Sequence, residues 1–287
     1  MSAAWVPVRR RNLGRTGLSV PEIGFGCGPT AGLMVRGALA ERCEAVARAL
    51  ALGIDYFDTA PVYGDTASEA HLGETLRALG AKPTIATKVA LEADDFGDIR
   101  GSVVRSVEAS AERIGHRITL IQLHNRVGTR RAGKAEYGSG ALLTVEDVLG
   151  GGGVIEAFHA LRERGLVRFF GCSAYGGDPA AAARLIDSGA FDTVTVNYSL
   201  RNRTAWEPDD RVARNYDGGG QRAAAAGMGI IGLRVLEGGA LADRAAAAVR
   251  FALSNKDLST VLIGFSDIAQ IEAAAGYAAG EQSGECA

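Results

Sequence analysis

Gly53-Ile54-Asp55-Tyr56-Phe57-Asp58-Thr59-Ala60-Pro61-Val62-Tyr63-Gly64 is the stretch on which the fold turns. A short apolar run, Ile54 to Phe57 around one acid, closes on the carboxylate Asp58 and is followed five residues later by the phenol Tyr63. Mostly apolar runs of this length suit strands covered on both faces, as in parallel sheets. Upstream, Leu39, Cys43, Val46 and Leu50 recur at spacings of four, three and four, the period of an amphipathic helix. Gly53 then stands where a helix ends in a left-handed residue. Helix, glycine, buried strand and polar strand end together make one βα unit.

The same alternation continues in both directions. Strands are expected at residues 23–26, 56–58, 84–88, 119–124, 168–173, 193–197, 229–234 and 260–264. Val103, Val107, Ala111 and Ile114, and then Val154, Phe158 and Leu161, repeat the helical period, and Gly165 and Gly227 sit at further helix ends. Eight strands alternating with helices, without a linker-like break, point to an α/β fold with one (β/α)8 barrel domain over residues 1–287. Ahead of it, residues 10–12 and 18–20 flank Gly14-Arg15-Thr16-Gly17 as a hairpin expected to cap the closed end. Arg9, Arg10 and Arg11 read as a solvated strand edge. Residues 125–149 are too long for a plain connection and are expected to form a functional loop over the open face. Gly150 to Gly153 read as a flexible helix entry.

Composition narrows the function. The chain has 287 residues, 47% hydrophobic and 22% charged, with a net charge of −2. Nothing here forms a basic field for nucleic acid or a membrane surface. The first twelve residues lack the apolar core of a secretory signal, and no apolar run approaches the roughly 18 residues of a spanning helix. A cytoplasmic protein with a small-molecule partner is expected, and the sequence favours no oligomeric state. Cys27, Cys43, Cys172 and Cys286 show no paired spacing, so they read as reduced thiols and no metal site is expected.

In a (β/α)8 barrel, polar side chains at the carboxyl ends of strands carry the chemistry. Asp58, Lys88, His124 and Ser173 occupy such ends, and Tyr63 lies just beyond the second. Taken singly, each has an ordinary explanation as a turn cap, a solvated amine, a packed phenol or a core imidazole. Together they make a proton-transfer set: a phenol ordinarily loses its proton near pH 10, and a neighbouring ammonium stabilises the phenolate. Asp58 would keep Lys88 charged and oriented. His71, His116 and His159 fall on helices or a turn and read as structural or solvent-facing.

The chain resembles the aldo-keto reductase superfamily in the opening stretch with Ser68-Glu69 and Leu72-Gly73-Glu74, in Thr87-Lys88, in residues 110–124 and in Gly171-Cys172-Ser173. The resemblance runs along nearly the whole chain. It implies that Asp58, Tyr63, Lys88 and His124 are the catalytic tetrad and that the reaction is NAD(P)-dependent hydride transfer between a nicotinamide and a carbonyl or alcohol substrate, an aldehyde, ketone or sugar. Tyr63 would be the general acid or base and His124 a hydrogen-bond donor to the substrate oxygen. A similarity to bacterial aldose dehydrogenase-like members rests on Leu123-His124-Asn125-Arg126, Val148-Leu149-Gly150 and Arg234-Val235-Leu236-Glu237-Gly238-Gly239. The alternative, from another class, is a nicotinamide-binding redox-sensing or regulatory subunit with little turnover.

The resemblance also implies cofactor contacts at Gly26, Ser173, Thr195, Asn197, Leu233, Arg234, Gly264, Ser266, Asp267 and Gln270. Three positions depart from the commonest family pattern. Ala174 stands for an asparagine, Thr195 for a glutamine and Leu233 for a stacking tyrosine, so carboxamide anchoring falls to Thr195 or Asn197. Residues 264–272 contain no cation, and no Lys or Arg follows Lys256. A dianionic 2′-phosphate without a cationic clamp is poorly held. This favours NAD(H) over NADP(H), with Asp267 accepting from a ribose hydroxyl, although Ser266 and Asp267 equally suit a helix start. Substrate choice is expected in residues 89–101, 125–149 and 199–216, where Arg126, Tyr137, Arg201 and Trp206 are candidate lining residues.

Overall fold

A computed structural model describes residues 6–134, 139–173, 178–212 and 215–280. In chain order the elements are β1 (Arg10–Asn12), β2 (Ser19–Pro21), β3 (Ile23–Gly26), α1 (Leu33–Arg36), α2 (Leu39–Ala51), β4 (Tyr56–Asp58), α3 (Ala67–Leu79), β5 (Thr84–Val89) and α4 (Ile99–Ile114). There follow β6 (Leu120–Leu123), β7 (Val127–Gly128), β8 (Leu143–Thr144), α5 (Val145–Leu149), α6 (Val154–Glu163), β9 (Phe169–Ser173), α7 (Pro179–Asp187) and β10 (Thr193–Asn197). The last are α8 (Gly219–Ala225), β11 (Gly229–Leu233), α9 (Ala245–Ser254), β12 (Leu258–Gly264) and α10 (Ile268–Ala279).

Strands β3, β4, β5, β6, β9, β10, β11 and β12 close into a barrel in that order, with β12 returning to pair with β3. Every pairing in it is parallel. This is the (β/α)8 barrel expected from the alternation of strands and helices. Closure gives a sheet no exposed edge and two separate apolar surfaces. The larger core lies between strands and the helical shell, through residues such as Val46, Val103, Phe158, Val194 and Ile271. The smaller fills the barrel bore with Tyr56, Ala86, Leu120, Ile231 and Leu262, plugged from below by Leu13 and Val20 of the N-terminal hairpin.

Gly53, Gly165 and Gly227 have φ of 81°, 75° and 69°, the left-handed helix ends expected of them. The periodicity of α4 and α6 also holds, with Val103, Val107, Ile114, Val154, Phe158 and Leu161 all buried. On α2 the face is rotated: Arg42, Ala45, Val46 and Ala49 turn inward, while Leu39 is exposed. Small alanines let that helix lie close to its neighbours, so the largest apolar residues do not mark the inner face.

Two expectations hold only in part. Arg9 and Arg10 are exposed, as expected of a solvated edge, but Arg11 is largely covered. Arg10 pairs with Asp55, Arg9 and Arg11 both pair with Glu22, and Arg11 also donates to the carbonyls of Leu253, Asn255 and Leu258. Residues 125–149, expected as a loop, contain short regular elements: β7 pairs in parallel with β8, and Thr144 caps the short α5 by accepting from the Asp147 amide.

Candidate active site

Asp58 ends β4, Lys88 lies near the end of β5 and His124 follows β6, so three neighbouring strands deliver acid, amine and imidazole to one mouth. Tyr63 arrives from the turn after β4. That turn is closed by Tyr63 N–H to the Ala60 carbonyl at 3.1 Å and Thr66 N–H to the Pro61 carbonyl at 2.7 Å. Asp65 and Thr66 have φ of 50° and 71°, a conformation that non-glycine residues adopt at a cost. The Ser68 hydroxyl donates to the Cys27 carbonyl at 2.8 Å and shares a hydrogen bond with the Thr59 hydroxyl, which braces the turn from behind. Buried Glu69 accepts from the Thr87 hydroxyl and pairs with Arg113, tying the residue before Lys88 to the helix after Tyr63.

The Lys88 ammonium donates to Asp58 Oδ1 and to the Thr59 carbonyl at 2.9 Å, and lies against the Tyr63 ring, 4.8 Å from its centre. Burial alone would push its pKa down, but the Asp58 and Tyr63 charges, with hydrogen bonds to both, outweigh that and hold it well above the ordinary lysine range. Lys88 is therefore a permanent cation inside the barrel. His124 meets the Tyr63 ring edge-to-face, with centroids 6.1 Å apart and an interplanar angle of 86°. Burial, reinforced by the Lys88 charge, pushes its pKa down to about 3, so the imidazole is neutral at physiological pH. Its Nδ1 is buried and makes no hydrogen bond.

Gln122, in β6, was not singled out from the sequence. Its Nε2 donates to Asp58 Oδ2 at 2.8 Å, and its Oε1 accepts from the Thr195 hydroxyl at 2.7 Å. A signal was present: Gln122 is the one polar residue in β6 and stands two before His124, on the same side of the strand.

On the opposite wall, Ser173 ends β9 level with Thr195, and Asn197 ends β10 level with Leu233. Ser173, Thr195 and Asn197 are all buried. Asn197 Oδ1 has no hydrogen-bond partner, whereas the single hydrogen of Thr195 is already committed to Gln122. Gly26 is in register with both Asp58 and Gly264, and a Cβ on it would meet the Ile263 carbonyl at 3.2 Å. Arg234 is exposed, with φ 53°. Ser266, Asp267 and Gln270 form a cap on α10: Asp267 accepts from the Gln270 amide at 2.9 Å and from the Ser266 hydroxyl at 3.0 Å, and the Gln270 side chain accepts from the Ser266 amide.

A cavity of about 570 Å³ opens between α1, α2 and this cap, lined by Ser266 and Asp267 together with Arg36, Glu41 and Glu44. Arg36 is a cation beside residues 264–272 that their own sequence lacks, brought there by α1 from the other end of the chain. Its guanidinium donates to the Pro29 and Ala31 carbonyls.

Trp206 does not face the mouth. Its indole donates to Asp257, just before β12, and its ring packs against Tyr198 in the helical shell. Arg126 is buried, 1% exposed, and Arg201 is exposed. Ala174, Tyr137 and Cys286 lie outside the described residues. The Cys27 thiol, beside Asp58, has its pKa pushed up by burial and then by the Asp58 charge, against the opposing Lys88 charge, and the buried Cys172 thiol is pushed up to about 12. Both are unreactive at neutral pH. Among the described residues no three His, Cys, Asp or Glu side chains cluster as metal ligands, and no helix is long and apolar enough to cross a membrane.

Known proteins resemble this chain in sequence and in fold. L-galactose dehydrogenase of Arabidopsis thaliana is 26% identical over 302 residues, covering 92% of this chain and 86% of its own. The aldo-keto reductase of Bacillus halodurans in its holo form superposes with a TM-score of 0.70 at 20% identity, covering 94% of this chain and 90% of its own. An aldo-keto reductase of Klebsiella pneumoniae in complex with NADPH gives 0.68 at 17% identity, covering 99% and 93%. The model of the aldo/keto reductase family matches residues 22–247, so this chain is a member of that family.

Proposed function

We propose that the protein is an NAD(P)-dependent oxidoreductase that moves a hydride between a nicotinamide and the carbonyl or alcohol carbon of a small molecule, with Tyr63 as general acid and base. The observation that carries this reading is the Lys88 ammonium, buried, held by Asp58 and the Thr59 carbonyl, and 4.8 Å from the centre of the Tyr63 ring. A cation fixed against a phenol stabilises its phenolate and brings its proton into a useful range.

The barrel mouth fits a nicotinamide cofactor. Asn197 Oδ1 is a buried acceptor lacking a donor, which suits the amide N–H of a carboxamide, and Ser173 ends the neighbouring strand level with Thr195. The absence of a side chain at Gly26 lets its strand lie close to the backbone of Ile263 and Gly264. When bound, the nicotinamide supplies or accepts the hydride. The chain's own residues handle the proton and the charge. In reduction the carbonyl oxygen gains negative charge, Tyr63 donates its proton to that oxygen, and neutral His124 supports the oxygen through a ring N–H. Lys88 holds the resulting phenolate until it is reprotonated. In oxidation Tyr63 takes the proton from the hydroxyl.

The adenosine end is read at the cavity between α1 and the cap of α10. NAD was favoured because no cation followed β12, and Arg36 removes that premise by standing in the same cavity as Ser266 and Asp267. Arg36 is therefore the residue on which acceptance of a 2′-phosphate depends, against the carboxylates Glu41, Glu44 and Asp267. The NADPH complex of the Klebsiella protein agrees with a phosphate being accepted. For substrate, the L-galactose dehydrogenase relative supports a sugar or related hydroxy-aldehyde. No observation favours a binding subunit without turnover.

The test is a panel of aldehydes, ketones and sugars assayed in both directions with both cofactors, beside a Tyr63→Phe variant. That variant is expected to lose ~10²–10⁴-fold in turnover and still bind cofactor. Turnover equal to wild type would overturn the assignment.

A further inference from the structure

Asp58 is held on one side by Lys88 and on the other by Gln122, and this second support lies within a chain of hydrogen bonds that crosses the barrel from β10. We propose that Gln122 is a positioning residue, which tunes the proton affinity of Tyr63 through Asp58 and Lys88. The proposal rests on the reading of Tyr63 as the proton-transferring phenol.

Chemistry fixes the polarity of the chain. A carboxylate only accepts, so the Gln122 amide must turn its N–H toward Asp58. Its carbonyl then faces Thr195, whose hydroxyl must donate. All donors point toward Asp58, and bonds aligned in this sense strengthen one another inside a medium of low polarity. Gln122 is fully buried, so water cannot replace it if the amide is lost.

The packing around Gln122 is specific. Gly171 is in register with it, and a Cβ there would stand 2.9 Å from the Gln122 Cγ and 2.5 Å from the Thr193 hydroxyl. The absent side chain at 171 is what lets a long amide lie across the bore. On the other flank, Lys88 is in register with Gln122, so both groups reach Asp58 from adjacent strands.

Losing the Gln122 donor leaves Asp58 Oδ2 bare in a buried site. A carboxylate with fewer donors binds its proton more tightly and orients its ammonium partner less firmly. The Lys88 cation then stabilises the phenolate less well, and Tyr63 holds its proton to higher pH. Gln122→Met keeps the volume and removes the bond.

The experiment is an ultraviolet titration of tyrosinate, read as each protein minus the same protein carrying Tyr63→Phe, so that only the phenol at 63 contributes. This readout needs no turnover and stands apart from whether the function proposed above is right. In Gln122→Met the phenol is expected to titrate roughly half to one unit higher than in wild type. Thr195→Val, which leaves Gln122 in place but removes its anchor, is expected to shift it less in the same direction, and to add nothing in the Gln122→Met background. In assays of alcohol oxidation, the rising limb of the kcat profile moves with the titration while KM stays level. A phenol that titrates at the wild-type value in Gln122→Met overturns the proposal, as does a Thr195→Val shift that persists undiminished in that background. Should Gln122→Met not fold, Thr195→Val alone decides: an unmoved phenol overturns the proposal and a raised one supports it.

Discussion

At the scale of single residues, the site combines a permanent cation with a permanently neutral imidazole. His124 is neutral because burial and the Lys88 charge take its pKa from an ordinary 6.5 down to about 3. This has a consequence for stability. Above pH ~6.5 neither the folded nor the unfolded chain protonates this ring, and its effect on stability is constant. Below that value the unfolded chain takes up a proton that the folded chain refuses, so stability falls as pH drops toward about 3. The slope contributed by one such group is at most ~1.4 kcal/mol per pH unit. His124→Asn removes the group, and urea unfolding of wild type and variant at several pH values between ~6.5 and ~4 should give curves that diverge as pH falls. Parallel curves would contradict a neutral, desolvated ring. The residues behind this chemistry differed in legibility. Asp58, Lys88 and His124 could be read because each interrupts an apolar run at its end. Tyr63 could be read from its distance to Asp58. Gln122 was passed over because its partners, Asp58 and Thr195, are 64 and 73 residues away and become neighbours only when the barrel closes.

Elements were legible where local periodicity and the buried face coincided, as in the barrel strands, α4 and α6. They were not legible where pairing is brief or distant. Strands β7 and β8 have two residues each, too few for any pattern to emerge. Helix α1 has four residues, yet it carries Arg36 to the cap of α10, more than two hundred positions along the chain. The sequence argument for NAD was sound about residues 264–272 and incomplete about the cavity they border. Arg36 is exposed and donates to two backbone carbonyls, so a bound phosphate can draw the guanidinium over. Fluorescence titrations should show Arg36→Ala weakening NADPH binding by about 1.5–3 kcal/mol, the range for hydrogen bonds to charged groups, while NADH changes little. Equal weakening of both cofactors would remove Arg36 from phosphate recognition.

The whole molecule separates its two ends. Polar strand ends, the turn with Tyr63 and the cap of α10 gather at the carboxyl mouth, while the hairpin of β1 and β2 closes the opposite end. Barrels of this kind place chemistry at the first end and stability at the second. Arg11 is the clearest device of the closed end. It reaches from β1 to the carbonyls of Leu253, Asn255 and Leu258, and it pairs with Glu22, whose carboxylate is almost fully buried. It thereby joins the first strand of the hairpin to the last strand of the barrel, across more than two hundred and forty residues of chain. Arg11→Met keeps much of the apolar stem but strands three carbonyls and removes one of the two cations around Glu22. Leaving one member of a buried charged pair unpaired costs about 3–5 kcal/mol; here Arg9 still partners Glu22 and solvent reaches part of Arg11, which brings the expected loss to about 2–3 kcal/mol. The midpoint of urea unfolding should fall accordingly. Because the mouth lies at the far end of the strands, kcat at a temperature where both proteins are folded should match wild type. A variant that kept its stability, or lost turnover in proportion to it, would show that the two ends are not separated in this way.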